Sequence, residues 1–288
     1  ELSPDGDRIA FATNEADDFD NVDVYVADAD GSDPRNLEIG ETGAESMPVE
    51  WGPDGDRLLV IDNSPDLSRV GVYDLARDEV SWYGDGEYDE GGVAFLPEHE
   101  GTERVLATRT RRAAKVPVVY DLDTGEGYEL DVEEGVTTPP GVGIGASDGS
   151  PLLSDDRLLF THTTPSRRPE LLAYDLDADE TDVLLDAEYG PFDPADFADA
   201  DYFTFESDGV PETRQAAVAH DPYDELEIEA LFYDAGERPS PLIVNPHGGP
   251  RAADTRSFGL YTQFLVQRGY SVLQINYRGS TGRGRAFV

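Results

Sequence analysis

Leu2-Ser3-Pro4-Asp5-Gly6-Asp7-Arg8-Ile9-Ala10-Phe11 returns 49 residues later as Trp51-Gly52-Pro53-Asp54-Gly55-Asp56-Arg57-Leu58-Leu59-Val60, and this pair of stretches decides the fold. In both, an apolar residue runs into Pro-Asp-Gly and out again into an apolar strand. Pro presets φ and Gly tolerates positive φ, so the pattern describes a tight turn feeding a strand. A degraded copy reads Leu153-Ser154-Asp155-Asp156-Arg157-Leu158-Leu159-Phe160, and Phe95-Leu96-Pro97 stands where the third copy belongs. A second motif, strand-tyrosine-turn, recurs as Val24-Tyr25-Val26-Ala27-Asp28, Val72-Tyr73-Asp74-Leu75, Val119-Tyr120-Asp121-Leu122 and Ala173-Tyr174-Asp175-Leu176. Its tyrosines lie 48, 47 and 54 residues apart. Short strands at a period of about 40–50 residues predict four-stranded β-propeller blades, each stacking on its neighbours to bury its faces. A sandwich or a barrel predicts no such period. Four units are visible over 1–195, so an incomplete β-propeller is expected there.

The pattern changes after Gly190-Pro191-Phe192-Asp193-Pro194. Tyr202–Glu206 and Leu226–Tyr233 read as half-buried strands, and Gly236 and Pro239 then break the chain. Pro241-Leu242-Ile243-Val244-Asn245 is a short buried strand leading into Pro246-His247-Gly248-Gly249-Pro250. Thr255 to Arg268 reads as an amphipathic helix with Phe258, Tyr261, Phe264 and Leu265 on one face, Asp254 or Thr255 as its cap and Gly269 just past its end. Tyr270–Tyr277 is the next strand. Strand, loop, helix and strand make a βαβ unit and hence a parallel sheet. Residues 196–288 are therefore expected to form the N-terminal part of an α/β-hydrolase domain.

The loop His247-Gly248-Gly249-Pro250 leaves the C-terminal end of a parallel strand, where α/β sheets place ligands. Consecutive glycines let the backbone approach a substrate and turn its N–H groups inward. In α/β-hydrolases a His-Gly-Gly loop after the third strand supplies an oxyanion-hole N–H. Gly248 and Gly249 are the candidate oxyanion-hole residues, and an ordinary tight turn is the alternative. Gly279-Ser280-Thr281-Gly282-Arg283-Gly284 lacks the Gly-Lys-Ser/Thr ending and the G-x-G-x-x-G order of phosphate loops.

Asn245–Pro250 together with Gln274-Ile275-Asn276-Tyr277-Arg278-Gly279-Ser280-Thr281-Gly282-Arg283-Gly284-Arg285-Ala286-Phe287 resembles the prolyl oligopeptidase family, most of all its acylaminoacyl-peptidase and dipeptidyl-aminopeptidase branch. The similarity is sharp over some fifty residues and diffuse over the repeats, which also look like the blades of TolB-type proteins. The resemblance implies a propeller capping an α/β-hydrolase that cleaves short peptides, without a cofactor. It implies that the Gly249 N–H faces the oxyanion, that His247 and Pro250 shape the loop, and that Arg278 and its Gly-rich loop brace the active-site face. It also implies a nucleophile in G-x-S-x-G, followed by Asp and His, all beyond Val288. The chain begins inside a repeat and ends just after a Gly-rich loop, and we read it as cut at both sides and inactive alone. An esterase on the same scaffold, or a propeller binding module with an inactive hydrolase remnant, are the competing readings.

The chain has 288 residues with 62 Asp+Glu against 21 Lys+Arg, a formal net charge of -41. Such a surface repels itself unless dense counterions screen it, which points to a high-salt cytoplasm. Clustered bases for nucleic acid are lacking. No apolar run is long enough to span a membrane. With no cysteine there is neither a disulfide nor a thiolate metal site. The charge is uneven: from Arg238 onward seven Arg face one acid, net +6, while the rest carries 14 bases and 61 acids, net -47. We read this end as the inner portion of a domain rather than as a basic face docking on an acidic neighbour. Asp28-Ala29-Asp30-Gly31, Asp121-Leu122-Asp123 and Asp175–Asp179 have a calcium-like spacing, but a hairpin turn is expected at each. Gly145-Ala146-Ser147-Asp148-Gly149 matches G-x-S-x-G formally, yet no strand feeds it and no helix follows. His99, His162 and His220 find no partner by spacing, and no metal site is expected.

Overall fold

The computed structural model describes residues 1–14, 21–140, 151–154, 156–207, 226–236, 238–249 and 251–288; Ser147, His220 and Pro250 lie outside them. Both motifs become strands of antiparallel sheets. The first sheet runs β1 (Arg8–Asn14), β2 (Val22–Asp28), β3 (Arg35–Asn36), and the second β4 (Ser46–Trp51), β5 (Arg57–Asp62), β6 (Arg69–Asp74), β7 (Glu79–Tyr83), each in chain order. A third group follows with β8 (Asp89–His99), β9 (Thr102–Arg111), β10 (Ala114–Asp121) and β11 (Gly127–Glu129). The fourth comprises β12 (Val136–Thr138), β13 (Leu152–Ser154), β14 (Arg157–Thr164), β15 (Arg167–Asp175) and β16 (Glu180–Leu185). Strands β12 and β13 pair antiparallel with opposite ends of β14, so they share one strand position interrupted by the intervening chain. A single parallel bridge, Lys115 to Val136, joins the third and fourth groups into one nine-stranded sheet.

The turn chemistry repeats atom for atom. Gly6 and Gly55 adopt φ of 77° and 75°, and their amides donate to Ser3 O and Gly52 O at 2.9 Å. The preceding Asp5 and Asp54 carboxylates accept the amides of Asp7 and Asp56. The acid after each repeated tyrosine works the same way. Asp74 Oδ1 accepts the amides of Ala76 and Arg77, Asp121 Oδ1 those of Asp123 and Thr124, and Asp175 Oδ1 those of Asp177 and Ala178. These aspartates cap hairpin turns. The tyrosines themselves bury their rings and must satisfy a hydroxyl. Tyr73 donates to Asp78 and Tyr174 to Asp179, while Tyr120 donates to Glu90. Burial, reinforced by Asp78, pushes the Tyr73 hydroxyl up to about 12.

Each strand of β5 and β10 is apolar on both faces, and the core shows why. Leu58, Val60 and Tyr73 meet Ala10, Val24, Val26 and Leu37 of the first sheet. Their neighbours Leu59, Val70 and Val72 point the other way, onto Phe95, Val105, Val118 and Tyr120 of the third group. Leu106 and Val119 in turn meet Leu158, Phe160 and Tyr174 of the fourth. The sheets stack face to face, and truncating a leucine in such a layer costs about 2–5 kcal/mol.

The C-terminal unit is a mixed sheet in the order β17-β18-β20-β19, from β17 (Asp201–Ser207), β18 (Leu226–Tyr233), β19 (Leu242–Pro246) and β20 (Ser271–Asn276), with helix α1 (Leu260–Gln267) between the last two. β19 and β20 run parallel from Leu242–Ser271 to Pro246–Ile275. The helix differs from its expected form. It begins at Leu260 with Gly259 as its N-cap, because the Asp254 backbone is held by Asn276, Arg256 N by Ala113 O, and Phe258 N by Thr163. Its buried face holds Thr262, Gln263, Leu265 and Val266, whereas Tyr261 and Phe264 are exposed. Gln263 is drawn inward because its amide donates to Pro165 O and Ala198 O and accepts from Ala198 N. The C-terminus does follow the sequence: Gly269 has φ of 83°, and its amide and that of Tyr270 close onto Val266 O and Leu265 O. Among the described residues no helix is long and apolar enough to cross a membrane.

Candidate functional site

Parallel register brings the C-terminal ends of β19 and β20 to the same sheet edge, so His247–Gly249 lies beside Tyr277–Ser280. The His247 ring stacks on Tyr277, with centroids 4.5 Å apart and planes 15° from parallel. Tyr277 Oη donates to His247 O at 2.7 Å. His247 Nε2 lies 2.7 Å from Ser280 Oγ, and Nδ1 lies 2.9 Å from Gly248 O. Ser280 Oγ also lies 2.6 Å from Tyr277 O and is fully buried. The loop is therefore held from beneath by three groups of one short segment.

Above that clamp the backbone is open. Gly248 and Gly249 are exposed, and among the described residues neither amide donates a hydrogen bond. Gly249 has φ of 149°, and a Cβ there would come within 2.9 Å of Arg251 N. Only glycine holds that conformation without strain. A Cβ on Gly248 would meet nothing within 4 Å. The chain leaving the loop is anchored by Asn276, whose buried amide donates to Asp254 O and accepts from Asp254 N.

Asp254 sits in this second layer. Burial pushes its carboxyl above the usual range, opposed by the charge of His247, and among the described residues its Oδ2 has no hydrogen-bond partner. With its folded value raised, the carboxylate disfavours folding at neutral pH, and the penalty fades as pH falls through the raised value. Asp254→Asn should raise stability by about 1 kcal/mol near pH 7, with the gain disappearing towards about pH 4. Paired thermal melts at the two pH values check this; an unchanged gain at acid pH contradicts it.

Several bases of the C-terminal end pair with acids of the stacked sheets. Arg251 pairs with Glu45 at 2.9 Å and Arg256 with Glu134 at 3.1 Å. Asp66, a non-glycine at φ of 95°, accepts Arg285 N on its carbonyl and Ala286 N on its carboxylate. Gly284 is required there, since a Cβ would come within 2.6 Å of Asp66 Oδ2. Between these contacts lies a cleft of about 730 Å³ lined by Glu45, Asp66 and Asp89 on one side and Arg251, Thr281 and Arg285 on the other.

Arg278 is half-buried and makes no hydrogen bond, ion pair or ring contact among the described residues. The contacts that hold the loop come from Tyr277, Asn276 and Ser280, the last of them in the Gly-rich loop expected to brace this face. Two histidines also find partners that spacing did not disclose. His99 Nδ1 faces Asp156 at 3.2 Å and Nε2 faces Asp177 at 3.4 Å. The three form a group of potential metal ligands. Their ligand atoms lie within 4.8 Å of one another, and each ring nitrogen faces its own carboxylate. Buried His162 is 2.8 Å from Thr137 Oγ1.

Parallel strand, glycine loop and stacked antiparallel sheets resemble the prolyl oligopeptidase family, and the comparisons with known proteins find the same likeness. The chain is 51% identical over 52 residues to dipeptidyl aminopeptidase BIII of Pseudoxanthomonas mexicana, covering 18% of this chain and 8% of that one. It is 39% identical over 67 residues to the human (Homo sapiens) acylamino-acid-releasing enzyme, covering 22% and 9%. Among solved structures, a puromycin-hydrolyzing peptidase of Mycobacterium tuberculosis superposes with a TM-score of 0.73 at 19% identity, over 100% of this chain and 42% of that one. The acylaminoacyl peptidase of Pyrococcus horikoshii gives 0.62 at 20% identity, over 98% and 40%. No family model matches. The chain thus spans about two fifths of the solved chains it resembles.

Proposed function

We propose that the full-length protein is a serine peptidase that hydrolyses short peptides. In this reading residues 1–195 form propeller blades that gate access, and 196–288 open an α/β-hydrolase domain. The observation that carries it is the pair of exposed amides at Gly248 and Gly249, unpartnered among the described residues, on a loop clamped at the C-terminal edge of a parallel strand. Such preorganised donors stabilise a carbonyl oxygen as it gains charge, and need no reorganisation when the reaction occurs. The Gly249 amide is assigned to the oxyanion. His247 shapes the loop, and Pro250 is assigned the same role from the sequence. The nucleophile, its base and their acid are assigned to residues outside this chain.

One pair inside the chain imitates a nucleophile and its base: Ser280 Oγ lies 2.7 Å from His247 Nε2. Full burial denies Ser280 a substrate, and its hydroxyl is already within 2.6 Å of Tyr277 O. The experiment is a comparison in molar KCl, where the net charge of -41 is screened. Full-length protein should release the chromophore from aminoacyl and acyl-peptide reporters, and the 288-residue chain should not. Turnover by the shorter chain would overturn the assignment of the nucleophile. Cleavage of esters alone by the full-length protein would favour an esterase.

A further inference from the structure

We propose that Ser280 is a positioning residue for the oxyanion donor, acting through the His247 ring; the kinetic half of this inference rests on the peptidase reading. Ser280 is completely buried, so its hydroxyl cannot reach a substrate. Among the described residues its Oγ is within hydrogen-bond distance of two atoms, His247 Nε2 at 2.7 Å and Tyr277 O at 2.6 Å. One hydroxyl proton serves one of these contacts, and the oxygen lone pairs accept from the ring if the proton goes to Tyr277 O. The contact of Nδ1 with Gly248 O needs Nδ1–H, so in the neutral ring the Ser280 hydroxyl donates to Nε2, tethering the far edge while the face lies on Tyr277. At its near edge Nδ1 meets Gly248 O, the carbonyl of the peptide whose nitrogen belongs to Gly249. That peptide plane is rigid. Rotating the imidazole therefore rotates the Gly248–Gly249 peptide and swings the Gly249 N–H away from its direction. Two contacts and one peptide plane run from a buried serine to an exposed amide.

The Tyr277 hydroxyl supplies a second, separate tether, donating to His247 O one peptide earlier. The two tethers fix successive peptide planes of the same loop. Ser280 is itself fixed, because its amide donates to Tyr277 O and the next amide, Thr281 N, donates to Ala252 O on the far side of the loop. The serine thus sits in a turn locked to both ends of the segment it steers.

The test has two readouts. In the full-length protein, Ser280→Ala should lower kcat about 10-fold or more while KM stays within about twofold, since a misdirected donor weakens the transition state and not the ground state. In a His247→Ala background, Ser280→Ala should cost nothing further, because the route passes through the ring. Tyr277→Phe keeps the stack, loses the tether to His247 O, and should multiply with Ser280→Ala. Effects of Ser280→Ala and His247→Ala that multiply, a change confined to KM, or labelling of Ser280 by a serine-directed phosphonate would each overturn the proposal. The second readout needs no activity. With four histidines in the chain, ring nitrogen NMR can resolve His247, whose protons should exchange faster in Ser280→Ala. Unchanged ring exchange overturns the proposal by itself. An inactive full-length wild type with the expected ring change overturns the peptidase reading instead.

Discussion

Gly249→Ala should lower kcat of the full-length protein by about 10²–10³-fold, the size of losing one oxyanion donor. Two physical effects act together. The residue sits at φ of 149°, which side chains avoid, and the new Cβ would press within 2.9 Å of Arg251 N. Relief of either moves the amide that the mechanism needs in place. Gly248→Ala is the internal control, because its Cβ would meet nothing within 4 Å. It should lose far less activity. Both variants leave the core untouched, so their melting transitions in molar KCl should stay close to wild type. Equal kcat values for wild type and Gly249→Ala would remove this amide from the mechanism.

The second large effect is on stability. Glu90 is 5% exposed and lies between the second and third sheets. Its carboxylate accepts from Arg109 Nε at 2.7 Å and from the Tyr120 hydroxyl at 2.7 Å. Arg109 continues to Glu129, and Tyr88 covers its guanidinium. Burial, together with Glu90, pushes the Tyr120 hydroxyl upward, so it stays a neutral donor at every working pH. Glu90→Ala leaves the largely buried guanidinium with Glu129 as its carboxylate partner and takes the acceptor from a buried hydroxyl, a loss of about 2–3 kcal/mol. Glu90→Gln keeps the shape and an acceptor and should cost less. Chemical unfolding in molar KCl measures both; a loss under about 1 kcal/mol for Glu90→Ala would show that the network contributes little.

The parts of this fold legible from sequence were those set by neighbours along the chain. Pro53-Asp54-Gly55 makes its turn with its own atoms, and Leu58, Leu59 and Val60 in succession signal a strand buried on both faces. Parallel pairing of β19 and β20 followed from strand, helix and strand. The rest depended on contacts across long separations. The start of α1 is decided by Ala113, Thr163 and Asn276, none of them near it in sequence, and capping preferences at Asp254 or Thr255 could not outweigh them. Gln263 lies inward because two carbonyls on other elements need its amide. His99 meets Asp156 and Asp177 across the junction of the third and fourth strand groups. Arg278 drew attention through its motif, whereas the residues that hold the loop are its neighbours Tyr277 and Ser280. One signal could have found them: the register that aligns Pro246 with Ile275 places 277–280 directly beside His247.

A tetrahedral adduct tests the central claim most directly. The full-length protein would be inactivated with a peptidyl boronate or phosphonate and its structure determined. The adduct oxygen that stands for the oxyanion should lie about 2.7–3.1 Å from Gly249 N, with His247 still stacked on Tyr277. An adduct oxygen bonded elsewhere, with the Gly248 and Gly249 amides turned to their own chain, would contradict the account.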